Sequence, residues 1–178
     1  MLFKGSKTEQ NLLAGFAGES MAANRYRFYA GKAKEDGFQQ IAAIFEETAN
    51  NEQEHAKIMF RFLNGIGDTA GNLSAAAMGE KEEWSKIYAD SEKTAREEGF
   101  TEIADFFKYL CEVEAAHEER YKKLLERVNT HTVFVDENGE MYWKCRVCGY
   151  IYKGAVPPEI CPVCKHPKAF YERKADNY

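Results

Sequence analysis

Two short stretches decide how this chain is read: Asn50-Asn51-Glu52-Gln53-Glu54-His55 and, 62 residues later, Glu112-Val113-Glu114-Ala115-Ala116-His117. In each, a glutamate precedes a histidine by three positions. On a helix that spacing projects the carboxylate and the imidazole from neighbouring points of one face. The same offset carries Tyr26 to Tyr88, Ile41 to Ile103 and Phe45 to Phe107. It also carries Ala33-Lys34-Glu35-Asp36-Gly37-Phe38 to Ala95-Arg96-Glu97-Glu98-Gly99-Phe100. Nine identities at one offset exceed what amphipathic helices share through composition alone. A two-helix hairpin is used twice. One Glu-x-x-His on a helix is usually solvated charge, but two at the repeat offset point to a metal.

Outward from these motifs, the helices can be placed. Ser6-Lys7-Thr8-Glu9 has capping-box spacing and predicts the start of a first helix that Gly37 stops. Leu12, Leu13, Phe16, Ala17, Met21 and Phe28 recur along it at a helical period. A second helix is expected over 38–63, with Ile41, Ile44, Phe45 and Ile58 on its buried side. Residues 64–79, with Gly65, Gly67, Gly71 and Gly79, read as a long connection with room for a helical piece. Third and fourth helices are expected over 80–98 and 100–128. The whole is a four-helix bundle whose two Glu-x-x-His helices need one further Glu from each of the others to build a di-metal carboxylate site. Glu19 and Glu80 are the natural completions. Glu83 is a further carboxylate on the third helix, while Glu82, Glu112 and Glu118 read as surface charge.

Composition divides the chain. All four prolines lie after residue 156 and four of the five cysteines after residue 144, so 1–130 reads as the helical domain and 131–178 as a separate small one. A formal net charge of −5 without a long basic run argues against nucleic-acid binding. No apolar run reaches the roughly 18 residues that a membrane span needs. The first residues lack a secretory apolar stretch, so a cytoplasmic protein is expected. In the tail, Thr132–Val135 and Met141–Trp143 flank Asp136-Glu137-Asn138-Gly139-Glu140, which predicts a hairpin. Cys145-x-x-Cys148 and Cys161-x-x-Cys164 can converge on one tetrahedral zinc or iron. Cys111, alone in a helix, reads as a small buried hydrophobe.

The flanking residues Cys148-Gly149-Tyr150-Ile151-Tyr152 and Cys161-Pro162-Val163-Cys164 resemble the two metal-binding knuckles of rubredoxins, which implies one iron held by four thiolates. Trp143, Tyr142, Tyr150, Tyr152 and Phe170 would pack around it. Two departures stand out: a short loop between the knuckles, and Lys165 where a glycine often follows the last cysteine. Taken with Phe16-Ala17-Gly18-Glu19-Ser20, Gly79-Glu80-Lys81-Glu82-Glu83 and the Cys164-Lys165-His166-Pro167 ending, the whole chain resembles the rubrerythrins.

That resemblance implies a ferritin-like bundle with a di-iron site, followed by a rubredoxin-like domain. Glu52 and Glu114 would bridge the irons, Glu19 and Glu83 would bind one, and Glu80 and His117 the other. His55 would replace Glu83 on reduction, and Tyr26 and Tyr88 would hydrogen-bond the ligands. The implied activity is reduction of hydrogen peroxide to water, protecting against oxidative stress. Electrons would come from an external NAD(P)H-dependent reductase or a rubredoxin, because the chain has no Gly-x-Gly-x-x-Gly of its own. A homodimer or higher homo-oligomer is the expected assembly. The competing readings are a ferroxidase or oxygen-reducing di-iron protein, and a non-catalytic zinc-ribbon interaction protein.

Overall fold

The computed structural model describes residues 3–136 and 138–175. Helix α1 (Lys7–Glu35) starts as its capping box predicts: the Ser6 hydroxyl accepts from the Glu9 N–H at 3.1 Å, and the Glu9 carboxylate accepts from Gly5 N–H. It ends at Gly37, whose φ of +85° suits a residue without Cβ. The Phe38 N–H then reaches back to the Ala33 carbonyl at 2.8 Å and turns the chain into α2 (Gln39–Phe62). The second hairpin repeats this turn atom for atom: Gly99 has φ +87° and Phe100 N–H donates to the Ala95 carbonyl, again at 2.8 Å. Here α3 (Thr69–Glu82), a π turn (Glu83–Ile87) and α4 (Tyr88–Glu97) form one continuous helix that turns into α5 (Thr101–Asn129).

Alanines set the distance within each hairpin. Ala30, Ala33 and Ala42 are buried together with Phe45 packed on them, and Ala49 and Ala56 continue the stripe along α2. The chain divides into two compact units, one running to Gly67 and the other starting at Asp68. In the second unit α3, the π turn and α4 all pack on α5. The tail belongs to that unit: β1 (Met141–Cys145) is the centre of an antiparallel sheet ordered β2-β1-β3, with β2 Ile151–Gly154 and β3 Tyr171–Arg173. Trp143, Cys145, Cys161 and Tyr171 form its core, and the Trp143 indole N–H donates to the Gly154 carbonyl.

Several expectations change. The third helix begins at Thr69, capped by the Asp68 carboxylate on Gly71 N–H, so the long connection over 64–79 shrinks to residues 63–68. Glycines at 71 and 79 are tolerated because the alanines between them favour the helix. Ile41, Ile44 and Ile58 are exposed on α2, as are Leu13, Met21 and Phe28 on α1. The alanines rather than these large residues meet the neighbouring helix. Thr132–Val135 does not pair with Met141–Trp143, which instead pairs with β2 and β3. Asp136 and Gly139 do form a turn, with Gly139 at φ +91°, while Glu137 lies outside the described residues. Tyr142 and Phe170 are exposed, whereas Tyr150 and Tyr152 pack on the tail core as expected.

Ala42 has no exposed surface, so a larger side chain there must force α1 and α2 apart. Ala42→Leu is expected to lower stability by about 1–3 kcal/mol in urea unfolding followed by helical circular dichroism. Ala43→Leu, on the exposed side of the same helix, should stay within about 0.5 kcal/mol.

Candidate metal centres

Each hairpin presents one cluster of three ligand-capable side chains. In the first unit Glu19 from α1 meets Glu52 and His55 from α2. In the second Glu80 from α3 meets Glu114 and His117 from α5. Within each cluster one donor atom per residue lies within 4.8 Å of the others. The two are built alike. His55 Nδ1 is 2.8 Å from Glu52 Oε2 and 3.9 Å from Glu19 Oε1. His117 Nδ1 is 2.7 Å from Glu114 Oε2 and 3.6 Å from Glu80 Oε2. Hard carboxylate oxygens with an imidazole form a donor set suited to iron. Burial, reinforced by a hydrogen bond with Glu114 and its charge, raises the Glu80 carboxyl above the ordinary range. Packed carboxylates of this kind call for a cation.

Glu83 is not part of the second cluster. It opens the π turn, and Tyr88 closes it. Burial raises the Tyr88 phenol above its usual range, and the charge and hydrogen bonding of Glu83 raise it further. Tyr88 therefore stays protonated, a donor aimed at Glu83, while its ring stacks on Phe107. Tyr26 packs against Tyr29 and Phe45.

The π turn has a sequence signature that hairpin periodicity alone does not reveal. Before it, the repeat offset is 61: Asn11, Leu12, Ala14, Gly18 and Glu19 recur as Asn72, Leu73, Ala75, Gly79 and Glu80. After it, from Tyr26 and Tyr88 onward, the offset is 62. One residue has been inserted, and a π turn is how a helix absorbs a single extra residue. The insertion also brings a contact that sequence reading missed. Trp84 Nε1 donates to Glu118 Oε2 at 2.7 Å, and Lys122 pairs with the other carboxylate oxygen. Glu118, expected on the surface, is buried. These two partners, Lys122 first, hold its carboxyl below the ordinary range. In the first hairpin its counterpart is buried Ala56, so an acid where the repeat has alanine was the available clue.

The four cysteines come together. Cys145 and Cys164 sulfurs lie 3.6 Å apart, and those of Cys148 and Cys161 lie 3.7 Å apart. A metal with bonds of about 2.3 Å to four tetrahedral thiolates has sulfur–sulfur edges of about 3.8 Å, so the cradle has the right size. Matching backbone turns shape both knuckles, with Gly149 N–H on the Cys145 carbonyl at 2.9 Å and Lys165 N–H on the Cys161 carbonyl at 3.0 Å. Burial opposes ionisation of Cys161, but the N–H groups of Cys164 and Val163 outweigh it and bring that thiol down to about 6. For Cys164 the His166 N–H favours the thiolate, yet burial and the three neighbouring sulfurs outweigh it and push the thiol up to about 12. Four sulfurs this close cannot all be anionic without a cation. Cys111 lies apart in α5, its thiol raised by burial and then by Glu92.

Comparison with known proteins agrees with this construction. Residues 10–125 match the rubrerythrin family model, and residues 143–172 match that of the rubrerythrin rubredoxin-like domain. Rubrerythrin of Porphyromonas gingivalis is 48% identical over 188 residues, covering 98% of this chain and 94% of the relative. Rubrerythrin of Nitratidesulfovibrio vulgaris is 44% identical, covering 98% of each. The chain belongs to the rubrerythrin family. It is an oxidoreductase of ferritin-like helices followed by a rubredoxin-like domain, and its cofactors are a di-iron carboxylate site and one iron in the four-cysteine cradle. Among the described residues no helix is long and apolar enough to cross a membrane.

Lys165 occupies the left-handed region at φ +63°, where an L-residue costs about 1–2 kcal/mol. Lys165→Gly is expected to stabilise the metal-loaded tail by roughly 0.5–1 kcal/mol, net of the entropy lost by glycine. Loss of the visible thiolate–iron band on heating checks this.

Proposed function

We propose that this protein reduces hydrogen peroxide to water at the di-iron site, with electrons from an external NAD(P)H-dependent reductase or rubredoxin entering through the four-cysteine iron. The supporting observation is one chain that carries both paired carboxylate–histidine clusters and a four-thiolate cradle. When bound, two ferrous ions supply the two electrons that peroxide needs, and the four-thiolate iron passes electrons one at a time. A storage protein has no use for a built-in one-electron carrier.

In this reading Glu52 and Glu114 would be shared between the two irons, Glu19 and Glu83 would hold one, and Glu80 and His117 would hold the other. His55 would take the place of Glu83 when the pair is ferrous. Two features favour the exchange. Glu83 sits outside the Glu80 cluster, on a π turn whose register differs from the helix around it. The His55 side chain is 55% exposed against 35% for His117, so it is the freer imidazole. Tyr88 holds Glu83 by donating to it, and Tyr26 fills the corresponding place in the first hairpin. Residues 1–130 form the catalytic part and 131–178 the electron-entry part of a soluble, oligomeric, cytoplasmic defence against peroxide.

Cys161→Ser is expected to abolish the tail chromophore and NADH-linked peroxide turnover while leaving helical content and di-iron binding unchanged. Loss of helix would contradict independent centres. Faster turnover with dioxygen than with peroxide in the reduced wild type would replace the peroxidase reading with an oxygen-reducing one.

Glu83→Ala should still bind two ferrous ions, since six ligand side chains remain, but hold the ferric pair less well. Peroxide turnover is expected to fall by roughly 10–100-fold. Crystal structures in both redox states check the exchange directly, and an unchanged ligand set would exclude it.

A further inference from the structure

The core of the tail contains a polar atom that packing alone does not explain. Tyr171 opens β3, where the antiparallel register pairs it with Cys145. Arg146 N–H donates to the Phe170 carbonyl at 2.9 Å just before it, which fixes the strand further. The Tyr171 side chain is 4% exposed and closes the cluster of Trp143, Cys145 and Cys161. Its hydroxyl is buried and, among the described residues, has no nitrogen or oxygen partner. A hydroxyl taken out of water without a partner is costly, and phenylalanine would fill the same space without it. The group it meets is the Cys161 sulfur. Burial, and next the bond to that sulfur, raise the phenol above its usual range, so the proton stays on its own oxygen.

The sulfur it faces is one where a lost donor has no substitute. Cys161 and Cys145 have no exposed surface, whereas Cys148 is exposed. Water can hydrogen-bond the Cys148 sulfur, but at Cys161 the donors are those the chain supplies. They are the N–H groups of Cys164 and Val163 together with the Tyr171 hydroxyl. A hydrogen bond to a charged acceptor in a dry interior is stronger than its exposed counterpart. Electron uptake raises the demand on such donors. With four thiolates around it, ferrous iron carries one more negative charge than ferric iron, and the sulfurs share that charge. A donor to sulfur therefore stabilises the ferrous state more, and hydrogen bonds to sulfur are among the features that set the potential of iron–thiolate centres.

We propose that Tyr171 tunes the four-cysteine iron, its hydroxyl donating to the Cys161 thiolate and raising the reduction potential of the centre. The step it governs is uptake of one electron from a one-electron donor. Fe(III) becomes Fe(II), no bond breaks, and the phenol proton stays on oxygen. Tyr171 acts through the ligand and touches no substrate, so the inference rests on the iron of the cradle and not on which oxidant the bundle reduces.

Tyr171→Phe in the full-length, iron-loaded protein keeps the ring and removes the donor. Redox titration of the visible thiolate–iron band is expected to show the ferrous state disfavoured by about three- to tenfold, a fall of roughly 30–60 mV in the one-electron potential. In the ferric variant the same band should move to longer wavelength, because a sulfur without its donor gives charge to iron more readily. Tyr152→Phe, which removes a hydroxyl from another ring on the same core, should leave both readings unchanged. A Tyr171→Phe potential that stays put or rises, or one that falls equally in Tyr152→Phe, overturns the proposal and leaves Tyr171 a packing residue. The wild type supplies a check that no variant's folding can spoil. With a magnetic cadmium isotope in the cradle, the Tyr171 hydroxyl proton should show scalar coupling to the metal through the Cys161 sulfur. Absence of that coupling overturns the proposal as well.

Discussion

Repulsion between like charges is the constraint on which the rest of this molecule depends. Two carboxylates about 4 Å apart repel by about 4 kcal/mol at an effective dielectric constant of 20. Glu80 and Glu114 are held this close, and their counterparts Glu19 and Glu52 share one cluster. The four cysteine sulfurs present the same problem in a smaller space. Metal binding relieves both. Glu118 beside them has a conventional solution, taking Lys122 and Trp84. It is correspondingly unavailable as a ligand.

The scaffold meets that constraint with small residues. Alanines at Ala30, Ala33, Ala42 and Ala49 let α1 and α2 approach closely, which brings Glu19 within reach of a Glu-x-x-His pair on the opposite helix. The tail solves its own problem differently. It has too little apolar material for an independent core, so Trp143 and Tyr171 pack around two of the sulfurs, and the metal takes the place of a larger interior.

What could be read from sequence follows from how local each feature is. The capping box, the Gly37 and Gly99 turns, the four cysteines and the two Glu-x-x-His pairs depend on residues within a few positions of one another, and all are where the spacing puts them. The buried side of α2 was misread because periodicity shows an apolar face without showing what covers it. Ile41 and Ile44 are apolar and periodic, yet they face away from α1. The start of α3 was misread because Gly71 and Gly79 weigh against a helix, while the Asp68 cap and the run Ala75-Ala76-Ala77 outweigh them. Glu118 was misread because its partner Trp84 is 34 residues away.

The inserted residue of the π turn makes the two halves of the repeat chemically unequal. Without it, a duplicated hairpin would give two identical half-sites and an iron pair with no reason to favour either end. Around the insertion one half alone gains Glu83, set beside a tyrosine that both halves share, and the other half keeps the more exposed histidine. A carboxylate preferred by ferric iron and an imidazole suited to ferrous iron are thus placed on opposite halves of the repeat. Under the proposed roles, a change of oxidation state favours a different half each time, so a shift of one iron could serve both states without rearranging either hairpin. The asymmetry needs only one extra residue because a helix can absorb it locally, leaving the offset of 62 intact from Tyr88 through His117.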